Sequence, residues 1–441
     1  MSGLLVTLVM FLAMVVILAT GLPLSFCLGG VGAVFIILLW GAKNSLMVVA
    51  YSAFTQTMNF TLVALPMFIL MGNVLGRSGI ADDLYTMIMR WMGPVRGGLA
   101  MGTVLICTLF AAMAGISGAA TVSMGLIALP SMLKRGYDKR IAVGCISAGG
   151  ALGILIPPSI PMILFGWIAQ VSVGRLFLGG VMPGLLLSFL FCLYIGIRCY
   201  FQRHLGPALP PEERVTWGEK FVSLKMVILP IFLVLAVLGS IFSGLATASE
   251  AGAVGAAGSL VCAAIYRRLN WAVVKEVTYE TLRLTGMIMW IVIGAVCFTY
   301  VYTAIGAPQL MKELIATLPV SPWIVIIVIQ LIYIVLGMFL DPTAIIMITV
   351  PVFVPVITVL GFDPVWFGVL FVVNMEMAYL TPPFGFNLFY MKGVVPKSIT
   401  MGDIYRSIIP FVGLQAVGLA IIMLFPQLVL WLPGLMFNGR A

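Results

Sequence analysis

Asn374-Met-Glu-Met-Ala-Tyr-Leu-Thr-Pro-Pro-Phe-Gly-Phe-Asn387 is an apolar stretch interrupted by Pro382-Pro383. Its counterpart lies 225 positions earlier, where Gly150-Ala-Leu-Gly-Ile-Leu-Ile-Pro-Pro-Ser159 carries Pro157-Pro158. The same offset of 225 aligns Gly136-Tyr-Asp138 with Gly361-Phe-Asp363. A weaker echo at an offset of 223 sets Gly21-Leu-Pro23 and Gly32 against Gly244-Leu-Ala246 and Gly255. A broken apolar segment that occurs twice in a membrane-like chain points to a transporter built from internal repeats.

Composition sets the class. Of the 441 residues 62% are hydrophobic and 8% charged, against roughly 25% charged in soluble domains. Apolar stretches long enough for a hydrocarbon core recur from end to end, so one integral, all-α membrane unit is expected. The formal charge of +9 is dispersed over short connections rather than gathered in a groove. It reads as membrane topology and not as a nucleic-acid surface. The seven cysteines lie mostly inside apolar segments without ligand spacing, as small core or lipid-facing residues do. His204 is the only histidine and lies in the basic loop between Arg198 and Lys225. A histidine triad in the membrane is thereby excluded, zinc hydrolysis is disfavoured, and no phosphate-binding Gly-Lys-Ser/Thr loop is present. The chain reads as a non-enzyme. The run from Met1 to Thr20 has no basic n-region and is expected to be a retained helix.

Counting apolar stretches by length gives twelve, which would point both halves the same way. Treating 97–133 and 323–360 as re-entrant helical hairpins, with tips at Gly115-Ile-Ser-Gly118 and Gly337-Met-Phe-Leu-Asp-Pro342, leaves five crossings per half and inverts the second against the first. The expected architecture is therefore about ten spanning helices plus two hairpins in inverted repeats. Residues 1–199 form the first repeat, 200–224 a cytoplasmic linker and 225–441 the second repeat. Stretches 80–93 and 307–318 read as amphipathic connectors on the interface. With both termini outside, this arrangement puts 19 lysines and arginines on the cytoplasmic side and only Lys43, Arg175, Lys312 and Arg440 outside, as the positive-inside rule requires.

A helix broken inside a membrane frees backbone groups that protein, ion or water must satisfy. Hydroxyls and polar side chains gather at these breaks and tips: Ser117, Thr121 and Ser159 in the first half, and Asp341, Thr343, Thr381 and Asn387 in the second. Such oxygens suit a hard monovalent cation such as Na⁺ more than a transition metal. Glu376, an intramembrane carboxylate, is a coupling candidate with a structural cap as its alternative. Glu250, following Thr247 and Ser249, is expected to cap or brace its helix.

Leu75-Gly-Arg-Ser-Gly-Ile80, Gly150 to Ser159, Gly244-Leu-Ala-Thr-Ala-Ser-Glu-Ala-Gly252 and Leu380-Thr-Pro-Pro-Phe-Gly-Phe-Asn-Leu388 resemble the large membrane (permease) subunit of tripartite ATP-independent periplasmic transporters, DctM-like, over residues 20–430. One departure is Ala-Thr-Ala-Ser-Glu after Leu245, where that family has a proline before the glutamate. The resemblance implies an elevator-type fold and secondary uptake of a small organic anion (a C4-dicarboxylate, sugar acid, sialic acid or oxo acid), driven by two or more Na⁺ ions. It also implies a periplasmic solute-binding protein and a small four-helix membrane subunit as partners, and a bacterial or archaeal cytoplasmic membrane as the location. Carried over, Ser117, Gly118 and Thr121 would meet Pro157, Pro158 and Ser159 at one cation site, and Asp341, Pro342 and Thr343 would meet Thr381, Pro382 and Pro383 at the other. The anion would lie between the tips, near Ser117, Gly118, Ser159, Thr343 and Asn387. Segments 54–76, 141–168, 281–303 and 365–390 are expected to move with the hairpins. The rival readings are a proton-coupled transporter that uses Glu376 without a binding protein, and a channel or non-transporting scaffold.

Overall fold

Each Gly-aromatic-Asp echo is a helix stop followed at once by a helix start. In the computed structural model, which describes residues 3–225, 227–316 and 319–437, Gly136 and Gly361 take φ of 77° and 83°. This left-handed conformation lets the next amide fold back onto the spent helix. Tyr137 N donates to Met132 O at 3.1 Å and Phe362 N to Ile357 O at 3.0 Å. Asp138 Oδ1 then accepts from Arg140 N at 2.8 Å, and Asp363 Oδ1 from Val365 N at 2.6 Å, capping the helices that follow. Met1 and Ser2 of the expected N-terminal helix, Thr317 and Leu318 of the second connector, and Arg440 lie outside the described residues.

Among the described residues every regular element is a helix, as lipid demands of a chain that must satisfy its backbone internally. Six of these helices are long and apolar enough to cross a membrane, or seven if the bent pair Trp217–Leu224 and Ile228–Phe242 counts as one span. This is fewer than the ten crossings expected. Gly3–Ala19 and Leu24–Trp40 have only 17 residues each. Each broken segment is divided in two, Lys139–Ala151 from Ile160–Ala169 and Pro364–Tyr379 from Phe386–Val394. Both proline pairs lie in those interruptions, with cis peptide bonds. At the expected hairpins the structure has two helix pairs, Gly98–Ala114 with Ser117–Lys134 and Pro322–Gly337 with Pro342–Val359. The expected connectors are the helices Ile80–Met92 and Ala307–Ala316.

The helices pack into two groups. In the first, the frame, Leu24–Trp40 lies against Trp271–Ala304, and Ala64–Arg77 against both Ala248–Ile265 and Trp271–Ala304. Small residues permit this approach: a Cβ built on Gly32 would stand 2.7 Å from the Cys297 carbonyl carbon. Arg77 pairs with Glu276 at 3.0 Å, and Asn73 Nδ2 donates to Thr281 Oγ1 at 3.1 Å. Arg268 pairs with Asp83 at 3.0 Å, tying the first connector to the frame.

The second group, the body, contains both helix pairs, both broken segments, and the helices Val173–Phe201 and Met401–Leu424. Ion pairs cross between the two halves of the chain at the starts of its helices, Lys139 with Asp403 at 2.7 Å and Arg175 with Asp363 at 3.9 Å. In this packing 54–76 and 281–303, expected to accompany the hairpins, lie chiefly against the frame while also touching the helix pairs. Ala64–Arg77 packs mainly on Ala248–Ile265 and Trp271–Ala304, and Trp271–Ala304 mainly on Leu24–Trp40 and Ala64–Arg77, where small-residue faces and the Arg77 ion pairs match. Helices 173–201 and 401–424 take their place in the body. Frame and body touch closely at Gly72, where a Cβ would stand 2.7 Å from Ala114 Cα.

Candidate functional site

The first tip packs directly on the first break. A Cβ on Gly115 would stand 2.5 Å from Pro158 O, and one on Gly153 would stand 2.8 Å from Ile116 O. Only hydrogen fits at either position, so the glycines of the tip and the break bring backbone against backbone. Ser159 caps helix 160–169 by accepting from Met162 N at 3.3 Å, and its hydroxyl donates to Ile154 O. One carbonyl at the first break is therefore already satisfied by a side chain. Pro157, Pro158 and Ser159 are all buried.

The second tip and break are arranged differently. Asp341 Oδ1 accepts from Thr343 N at 2.8 Å, capping helix 342–359, while Oδ2 accepts from the Tyr379 hydroxyl at 2.9 Å. Thr381 Oγ1 donates to Met377 O at 2.7 Å. Pro382, Pro383 and Phe384 are exposed, in contrast to the sealed first break. Phe384 lies between Phe339 and Phe389, with ring centroids 6.2 and 6.3 Å away. The paired motifs thus build two unlike environments.

Asn387 follows the second break in sequence, yet it joins the first tip. Thr121 Oγ1 lies 3.0 Å from Asn387 Oδ1 and 3.1 Å from Ser117 O, so its one proton serves one of them at a time. Asn387 Nδ2 donates to Ser147 O at 2.9 Å. Gly118 faces Tyr390 and Gly125 faces Val394. The second arm of each pair therefore packs on the far half of the other repeat's broken segment, 117–134 on 386–394 and 342–359 on 160–169. Helices 117–134 and 386–394 both begin without a side-chain cap. Their N-terminal ends, with positive dipole ends, meet through the Thr121–Asn387 contact.

Of the expected site residues, Ser117, Gly118, Thr121, Pro157, Ser159 and Asn387 come together around the first tip. Asp341, Thr343, Thr381 and Pro382 gather around the second. Sequence reasoning missed Tyr379 and Ser147. Tyr379 stands two residues before Thr381 and could have been suspected from its place inside the broken segment, whereas Ser147 contributes a backbone carbonyl and leaves no side-chain signal. Glu376 is fully buried, and neither carboxyl oxygen has a hydrogen-bond partner, so it does not cap the hairpin. Glu250 closes a capping box with Thr247, as expected of a structural role. Two clefts of about 610 and 300 Å³ flank Trp167 and Gln170, between the body and the frame, and neither is lined by a tip residue.

Asp341 and Thr381 at the second break, and Thr121, Ser159 and the Ile154 carbonyl at the first, present oxygen atoms of the type a hard cation takes, each engaged here in hydrogen bonds. Comparison with known proteins agrees with this membrane architecture. The fold is similar to that of the Alcanivorax borkumensis YdaH transporter, with a TM-score of 0.67 over 93% of this chain and 96% of that one at 15% identity. In sequence the chain is 36% identical over 407 residues to the C4-dicarboxylate TRAP transporter large permease protein DctM of Pseudomonas aeruginosa, covering 92% of this chain and 93% of that protein. It is 29% identical over 433 residues to the ectoine TRAP transporter large permease protein TeaC of Halomonas elongata, covering 98% and 100%. The profile of the tripartite ATP-independent periplasmic transporter DctM component matches residues 11–428. The chain belongs to that family and is a large membrane permease subunit, not an enzyme.

Proposed function

We propose that this subunit imports a small carboxylate-bearing solute, of the C4-dicarboxylate class, across a bacterial cytoplasmic membrane in symport with Na⁺. The observation that carries the reading is the meeting of two uncapped helix N-termini, 117–134 and 386–394, beside Thr121 and Asn387. Helix N-termini favour anions, and no lysine or arginine lies in either break to do so instead. Na⁺ at the oxygen-lined tips would add positive potential, so anion binding would depend on sodium.

The grouping of helices into frame and body supports an elevator movement in which the body slides and carries tips and breaks together. Two inverted repeats, 1–199 and 225–441, joined by a cytoplasmic linker, with both termini periplasmic, fit this movement and the distribution of basic residues. A periplasmic solute-binding protein would deliver the solute, and a small membrane subunit would brace the frame. The test is uptake of labelled succinate into proteoliposomes holding this chain and its small subunit, with binding protein outside and an imposed Na⁺ gradient. Accumulation that requires both sodium and binding protein is expected. Robust uptake driven by a proton gradient without either would overturn the reading.

A further inference from the structure

Glu376 is left unused by the tips and breaks. Gln415 is also fully buried, and both its amide oxygen and its amide nitrogen lack partners. Packing brings the two to one level of the body. Helices 173–201 and 364–379 start together at the Arg175–Asp363 pair, and Gly179 packs on Val369. Two turns further on, Glu376 shares the face of Val369 and comes level with Leu187. Gly418 packs on Leu187. Gln415 lies one turn from Gly418, on the face whose Phe411 meets Phe191 and whose Ile422 carbonyl accepts from the Trp366 indole at 3.2 Å.

The charged group that the hydrogen bonds bring nearest to this helix is Asp341, whose Oδ2 accepts from the Tyr379 hydroxyl at 2.9 Å one turn beyond Glu376. The helices packed against 364–379 carry charges only near their ends: Arg175 and Arg198, Asp403 and Arg406, Lys139 and Arg140, and Lys392. Helices 160–169, 322–337, 342–359 and 427–437 carry none. Of the nearby neutral titratable groups, Tyr333 interacts with Thr349 and Cys145 with Ala142 O. Helix 364–379 ends at Tyr379, and the carbonyls that follow Glu376, at Met377 and Ala378, accept from Leu380 N and Thr381 N at 3.1 and 3.0 Å. Three side-chain oxygens fall short of the shell of about six that a hard cation takes. A carboxylic acid and a primary amide, by contrast, are complementary. In this structure the two side chains make no bond to each other, but an acid O–H can donate to an amide oxygen and an amide N–H to an acid carbonyl, so one proton taken up as they turn together would satisfy all four orphaned atoms.

We propose that Glu376 and Gln415 form a proton-binding site inside the body, which carries the proton as it moves. The proposal rests on the transport reading only for that movement. Infrared difference spectra of the purified complex should show a carboxylic-acid carbonyl band in the native protein that is lost in Glu376→Gln and shifted in Gln415→Leu. Proteoliposomes with a trapped pH dye should show proton movement accompanying uptake, lost in Glu376→Gln that still assembles by gel filtration. Absence of the band would overturn the site. A band without proton movement during uptake would overturn its role as a carrier. Uptake independent of sodium would refute the transport reading while leaving the infrared result to decide the site.

Discussion

Replacing Thr121 by valine keeps the side-chain shape and removes the one donor facing Asn387 Oδ1. The hydroxyl is fully buried, 3.0 Å from that oxygen, and a Cβ on Gly150 would stand 1.9 Å from it, so no larger group fits. Asn387 is still held by Ser147 O at 2.9 Å and cannot turn away without losing that bond. A buried acceptor left without its donor costs about 1–3 kcal/mol. At about 1.4 kcal/mol per tenfold, this is roughly a 5- to 150-fold shift in whichever equilibrium requires the junction. The assay is the initial rate of sodium-driven uptake in proteoliposomes as a function of Na⁺, alongside thermal unfolding in detergent. Thr121→Val should lower uptake or raise half-saturating Na⁺ by that factor, while Thr121→Ser, which keeps the hydroxyl, should stay near the native protein. Native behaviour in Thr121→Val, or equal losses in the two variants, would show that the hydroxyl does not hold this junction.

Further outcomes follow from other contacts. Asp341→Asn should raise half-saturating Na⁺ severalfold, because it removes the charge at the second tip, whereas Tyr379→Phe keeps the charge and should shift it less; equal effects would count against a cation there. Gly153→Ala should lower the unfolding midpoint, since its Cβ would meet Ile116 O at 2.8 Å and overpacking costs about 1–3 kcal/mol; an unchanged midpoint would mean that the tip yields. Gly76→Cys with Phe110→Cys, joined by a short bis-maleimide, should stop uptake while preserving assembly. Gly76 and Phe110 span the frame–body contact, so full transport through a verified link would refute the sliding movement.

Local chemistry was legible in the sequence because it is covalently close. The Gly-aromatic-Asp echoes, the proline breaks and the Thr247–Glu250 cap each act within a few residues, and the composition alone required helices in lipid. Tertiary structure decided which helices pack together, since 54–76 and 281–303 look like hairpin companions by position but pack chiefly into the frame through small faces and ion pairs. It also decided that Asn387 joins the first tip rather than the second, that the first break is sealed while the second is open, and that Gln415 comes level with Glu376. These are contacts between residues far apart in the chain, set by how helices of both repeats exchange neighbours. A repeat read along one sequence shows that two copies exist, but the interleaving of the copies is a property of their packing in space.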